Sequence, residues 1–140
     1  MKVREIMNRE IVSILPTATL HDAAMKMKQN KIGSVLICED DWKLKGIITD
    51  RDISLAVAAD FKDPKTTLTS EVMRDNPVTI DPSADVAMAL RLMNKSVIRR
   101  LPVCDNNEVV GILSTSDVAG EIKDEFNEFI GLEEAFAKHH

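Results

Sequence analysis

The sequence predicts an α/β (α+β) chain in which one strand-helix-strand-strand-helix unit is written twice and followed by a C-terminal helix. Three observations carry this. The first is self-similarity at a constant offset of 66 residues: Ile6-Met7 recurs as Val72-Met73, Pro16 as Pro82, Ala23 as Ala89, Met27 as Met93, Ile32 as Ile98 and Cys38 as Cys104. One residue then drops out, and Gly46 and Asp52 recur as Gly111 and Asp117; a fixed offset over so many positions marks an internal repeat. The second is a helix-period apolar face in each copy, and the third is a pair of apolar runs joined by a short polar turn.

The elements follow in order. Residues 3–7 and 70–73 read as short helical turns, with Ser70 a candidate cap in the second copy. Residues 11–14 and 77–80 are short extended runs closed by Pro16 and Pro82. Leu20, Ala23, Ala24 and Met27, then Val86, Ala89, Leu90 and Met93, keep the i, i+3, i+4, i+7 spacing of one helical face, with Thr19 and Asp85 at the N-cap positions. Strands are predicted over 34–38 and 44–48, and over 101–104 and 109–113. Their turns, Glu39-Asp40-Asp41 and Asp105-Asn106-Asn107, use residues that tolerate turn backbone. The strands are apolar almost throughout, which predicts burial on both faces. A second helix is expected over 52–59 and over roughly 117–122.

Residues 61–69 are polar and broken by Pro64, so they are the connector. The units are therefore expected at 1–63 and 64–122, with a helical extension over 123–140. Ile122, Phe126, Phe129 and Ile130 form one stripe on that extension. Core packing is the ordinary reading of such a stripe, and a dimer contact is the sharper one. His139 and His140 are assigned no role.

Composition sets limits. Hydrophobic residues are 44% and charged residues 29% of the 140, ordinary for a globular protein. A unit of about 60–70 residues buries too little surface to be robust alone, so the two are expected to pack together. The net charge of −5 argues against a broad nucleic-acid or anionic-membrane surface but leaves room for a local basic pocket. No apolar run is long enough for a bilayer, and Met1-Lys2-Val3-Arg4-Glu5 is no signal peptide, so a cytoplasmic protein is expected. Cys38 and Cys104 end apolar runs and are expected as reduced, buried strand cysteines; a disulfide or metal pair is the alternative. No Ser/His/Asp or Cys/His arrangement and no Walker-type loop is present, so catalysis is not expected.

Each copy also carries a strand that runs into a helix: Gly46-Ile47-Ile48-Thr49-Asp50-Arg51-Asp52 and Gly111-Ile112-Leu113-Ser114-Thr115-Ser116-Asp117. A hydroxyl three positions before a carboxylate suits a small polar ligand. It equally suits a capping box, in which both groups satisfy the helix start.

With these junctions, the opening turns, the stretch from Pro82 to Met93 and Arg99-Arg100-Leu101-Pro102-Val103, the chain closely resembles a pair of CBS (cystathionine-beta-synthase) domains, a Bateman module. The resemblance covers residues 3 to 120. It implies two β-α-β-β-α units packed through their sheets in pseudo-two-fold fashion, with two clefts between them that hold adenosyl ligands in many members. It implies a stand-alone, non-catalytic regulatory module that takes AMP, ADP, ATP or a related compound, requires no cofactor, and pairs as a homodimer with an unidentified regulated partner. A ligand-free adaptor scaffold is the alternative.

On this resemblance Asp52 and Asp117, whose carboxylates are pure acceptors, are candidates for the two ribose hydroxyls. Thr49 and Ser114 are candidates for a ribose or phosphate oxygen, aided by the helix N-terminus behind each. Arg99 and Arg100 are carried over to phosphate, and Arg51 stands inside the first junction only. Ile11, Val12, Ser13, Pro77, Val78 and Thr79, with Val35 and Ile98, are carried over as contacts to the base. Aromatic residues are 4% and none lies at the junctions, so the base is expected to rest on aliphatic side chains.

Overall fold

Prolines, caps and turn residues punctuate the chain much as expected. The computed structural model describes residues 1–139; His140 and the side chain of His139 lie outside it. The elements are α1 (Val3–Ile6), β1 (Ser13–Ile14), α2 (Leu20–Asn30), β2 (Ser34–Cys38), β3 (Leu44–Thr49), α3 (Asp50–Ala58), α4 (Thr69–Val72), β4 (Arg74–Asp75), α5 (Val86–Ser96), β5 (Arg100–Asp105), β6 (Glu108–Ser114) and α6 (Thr115–His139). Thr19 caps α2 by accepting from the amide of Asp22 at 3.2 Å, while the Asp22 carboxylate accepts from the Thr19 amide at 3.0 Å. Asp85 caps α5 through the Ala87 amide at 3.2 Å. The left-handed residues Lys31 and Val97, both at φ 54°, end these helices at matched positions.

Side-chain alternation along the strands builds the architecture. Val35, Ile37 and Ile48 enter a first core with Leu20, Ala23 and Met27. Leu36 and Cys38, which alternate with Val35 and Ile37, and Leu44, set on that side by the register shift between Ile37 and Cys38, meet Cys104 and Val109 of the second repeat. Leu101, Val103 and Leu113 enter the second repeat's own core with Ala89 and Met93. Burial on both faces, expected from the apolar runs, is therefore real. Each fully buried Leu or Val contributes about 1.5–3 kcal/mol. Across the seam Lys43 and Glu108 pair as an antiparallel bridge. The amide of Leu44 donates to the Asn107 carbonyl at 3.2 Å and that of Val109 to the Trp42 carbonyl at 3.0 Å. The result is an α/β pair of repeats with a C-terminal helix.

The opening turns are exchanged between the repeats. Val3 and Met7 lie in the second core, and the Val3 amide donates to the Ala84 carbonyl at 2.9 Å. The turn α4 belongs with the first repeat, where the Thr69 amide donates to Ala18 at 2.7 Å and Thr69 is fully buried.

Four expectations need correction. Ser70 does not cap α4: its N-cap is Leu68, whose amide donates to the Glu71 carboxylate at 2.7 Å. The run 77–80 keeps only a single bridge, Ile80 to Val103. In the first repeat the Leu36 amide bonds Val12 at 3.3 Å; the matching position is Pro102, which has no N–H to give. The helix after the second junction does not stop near 122; α6 runs unbroken for 25 residues. Its stripe is not core: Ile122, Phe126, Phe129 and Ile130 are 39–60% exposed. Val118 is the last of its residues in the second core, and beyond it the helix leaves the body.

Candidate functional site

Both strand-to-helix junctions are built as capping boxes. Thr49 Oγ1 accepts from the Asp52 amide at 3.1 Å, and Asp52 Oδ2 accepts from the Thr49 amide at 3.0 Å. Ser114 and Asp117 repeat this at 3.1 and 3.0 Å. Each junction is tied to the preceding strand entry, Asp50 N to Gly33 O and Thr115 N to Arg99 O, both at 2.9 Å. Capping leaves chemistry available at the first junction, where the Thr49 hydroxyl accepts one amide bond and retains its own proton to donate.

The first junction opens on a cleft of about 700 Å³ between the repeats. The first repeat contributes Gly33, Ser34, Ile47, Thr49, Asp50 and Arg51; the segment 74–78 contributes Arg74, Asn76, Pro77 and Val78; and the second repeat's strand entry contributes Ser96 to Arg100 with Pro102. Thr49 and Arg51 thus face Arg99 and Arg100, fifty residues away in sequence. Val78, Ile98 and Ile47 supply aliphatic surface. Four guanidiniums and one carboxylate, Asp50, line the space, so a local basic pocket coexists with a net negative chain. Arg51, Arg99 and Arg100 form no ion pair among the described residues, which leaves their forks free for an anion. Val97 at the rim is β-branched, left-handed and 90% exposed, a strained conformation of the kind that clusters at ligand sites.

Of the residues singled out by sequence, Thr49, Arg51, Pro77, Val78, Ile98, Arg99 and Arg100 line this cleft. Asp52 does not; its side chain is 13% exposed and its Oδ1 is held by Arg74 Nη2 at 3.0 Å and Nε at 3.3 Å. Thr79 is exposed outside the lining. Val35 is 1% exposed inside the first core. Ile11 packs against the seam and Val12 against the first core. Ser13 lines a different groove of about 510 Å³ with Asp22 and Lys26. Ser114 and Asp117 sit at the companion junction, where Ser114 Oγ lies 2.9 Å from Ser116 Oγ. Sequence reasoning missed Arg74, Asn76, Val97 and Asp50. The signal for Arg74 was in the repeat: its counterpart is Asn8, so the cation exists in one copy only.

The two cysteines are free and buried at the seam, as expected. Burial pushes both thiols up from an ordinary 9.0 to about 11, with Cys104 adding to the effect at Cys38. They are therefore protonated and unreactive at neutral pH. Among the described residues no group of three or more His, Cys, Asp or Glu is placed to hold a metal. None of their helices is long and apolar enough to cross a membrane.

Two strand-helix-strand-strand-helix units packed through their sheets, with an arginine-lined cleft between them, define a paired-repeat α/β module. The CBS domain family matches residues 3–59 and 70–124, and the chain belongs to it. It is 38% identical over 117 residues to the CBS domain-containing protein YhcV of Bacillus subtilis, covering 84% of this chain and 82% of that one. It is 36% identical over 116 residues to Hypoxic response protein 1 of Mycobacterium tuberculosis, covering 83% and 81%. Its fold matches the CBS domain pair of protein MJ0100, solved with 5-methylthioadenosine and S-adenosyl-L-methionine, at a TM-score of 0.78 and 25% identity over 89% of this chain and 98% of that one.

Proposed function

We propose that this protein is a non-catalytic regulatory module that binds an adenosyl ligand, of the AMP, ADP or ATP type, in the cleft between its repeats. One observation carries the reading: Thr49 and Arg51 of one repeat converge with Ile98, Arg99 and Arg100 of the other on a single cavity. The hydroxyl suits a sugar or phosphate oxygen, the guanidiniums suit phosphate, and Val78 and Ile98 suit the faces of a base. The ligands of the MJ0100 domain pair are of the same adenosyl class. Occupancy shifts the module only through unequal affinity for its arrangements, and the module acts as a homodimer in the cytoplasm on a partner protein.

The test is calorimetric titration and thermal unfolding with AMP, ADP, ATP and S-adenosylmethionine. A ligand at a hundred times its Kd adds about 2.7 kcal/mol to stability and raises Tm by several degrees. Replacing Arg99 and Arg100 by Ala is expected to weaken phosphorylated ligands without altering the fold. No heat and no Tm change with any of the four at millimolar concentration would overturn the reading. The exposed stripe on α6 favours a second reading, a ligand-free adaptor; a dimer of full stability that ignores all four compounds would support it.

A further inference from the structure

We propose that Arg74 is a latch that closes this cleft to uncharged nucleosides and opens it to phosphorylated ones, so that the two junctions sort ligands by charge. The inference rests on the adenosyl reading of the cleft and concerns which members of that class enter.

Arg74 stands on the edge strand β4, opposite Ile47 of β3, one strand away from the junction. Both Nε and Nη2 reach Oδ1 of Asp52, and Oδ2 is already taken by the Thr49 amide. The Arg74 side chain is 60% exposed and lines the cavity, whereas Asp52 is 13% exposed and does not. Oδ1 already accepts two N–H bonds from Arg74, so a ribose diol that bonds Asp52 through both carboxylate oxygens has to compete with Arg74 for Oδ1.

What happens to the released guanidinium decides the outcome. An uncharged nucleoside offers it nothing in exchange, and it is left beside Arg51, Arg99 and Arg100 as a fourth like charge. A ligand with phosphates supplies a bidentate acceptor for the fork and neutralises its neighbours. Each added phosphate strengthens the exchange.

The companion junction lacks every part of this device. The position of Arg74 is held by Asn8, which bridges Ile112 as Arg74 pairs with Ile47. Asn8 Oδ1 accepts from the Glu10 amide at 2.9 Å. The positions of Arg99, Arg100 and Arg51 are held by Gly33, Ser34 and Ser116. Asp117 accepts only the Ser114 amide and forms no ion pair among the described residues. Its carboxylate is ready for a diol without a prior exchange.

The experiment is calorimetric titration of the full chain with adenosine, AMP, ATP and inorganic tripolyphosphate, for the natural sequence, Arg74→Met and Asn8→Arg. The natural chain is expected to bind adenosine at one site and ATP more tightly with tripolyphosphate as a competitor. In Arg74→Met adenosine gains a second site and the ATP-to-adenosine affinity ratio at the first cleft falls about tenfold or more, the worth of a phosphate–guanidinium fork. Asn8→Arg is expected to weaken adenosine at the companion junction about fivefold; it keeps the latch falsifiable if Arg74→Met does not fold. ATP binding with an unchanged ratio in Arg74→Met, or unchanged adenosine binding in Asn8→Arg, overturns the latch and leaves the adenosyl reading standing. Tripolyphosphate binding that weakens in Arg74→Met, with no adenosyl compound bound, keeps the charge selection and removes the adenosyl reading. Failure of all four probes to bind the natural chain overturns both.

Discussion

Asp52→Ala tests the junction against its twin. The substitution removes two contacts: the bond from the Thr49 amide at 3.0 Å and the pair with Arg74 at 3.0 Å. Asp117→Ala removes only the bond from the Ser114 amide, also at 3.0 Å. An N-cap interaction is worth about 1 kcal/mol. The Arg74 pair is anchored on a largely covered carboxylate but an exposed guanidinium, so it adds about 0.5–1 kcal/mol. The expected losses are then about 1.5–2 kcal/mol for Asp52→Ala and about 1 kcal/mol for Asp117→Ala. Urea unfolding followed by circular dichroism reads the difference. With a slope near 2 kcal/mol per molar urea, the midpoint falls by about 0.75–1 M in the first variant and about 0.5 M in the second. A double-mutant cycle of Asp52→Ala with Arg74→Ala isolates the pair, with a coupling of about 0.5–1 kcal/mol. Equal midpoints for the two single variants, or a coupling of zero, would refute the claim that the repeats differ at this point. A loss above about 4 kcal/mol would mean that the junction holds up the core rather than the helix start.

Three further outcomes are expected. A Cβ at Gly46 would stand 2.6 Å from Met73 Sδ and 2.8 Å from the Arg74 carbonyl, whereas one at Gly111 meets the flexible Met7 Sδ at 2.5 Å and the Asn8 carbonyl at 3.1 Å. Gly46→Ala is therefore expected to cost about 1–3 kcal/mol and Gly111→Ala less, measured by the same urea titration. Cys38 and Cys104 hold their protons to about 11 in the folded state, so their contribution to stability is constant below pH 9 and falls as pH rises through 9 to 11, by up to about 2.7 kcal/mol per thiol; replacing both by Ala should flatten that alkaline slope. The amides at the starts of α2 and α5 hold the Asp22 and Asp85 carboxyls below the ordinary 3.8. Their contribution is present above pH 3.8 and lost as pH falls through the lowered values, so Asp22→Ala and Asp85→Ala should reduce the acid-side slope of stability in a pH series of denaturation midpoints.

Much of the fold is legible because its signals are local or periodic. The offset between Met27 and Met93 reveals the repeat without any structure. Thr19 and Asp85 cap helices because a short oxygen-bearing side chain at that position has an amide within reach, whatever the rest of the chain does. The boundary of β2 falls at Ser34 and Cys38 as expected, because glycine precedes it and an acidic turn follows. The site was partly legible for the same reason: Thr49, Arg51, Arg99 and Arg100 belong to recognisable local patterns. Arg74 was passed over because its neighbour in space, Asp52, is twenty-two residues away, and pairing across β3 and β4 leaves no mark in either segment.

The sequence by itself determined the duplication, the order of strands and helices, the caps and the two hydroxyl–carboxylate junctions, since each depends on spacing within one turn or one strand. Tertiary structure alone decided which junction meets the arginines, that the opening turns cross to the opposite repeat, and that the apolar stripe on α6 faces solvent instead of a core. These are questions of which surfaces meet after folding. An apolar face or a charged side chain states what it can satisfy, and only the arrangement of the rest of the chain decides whether a partner is there.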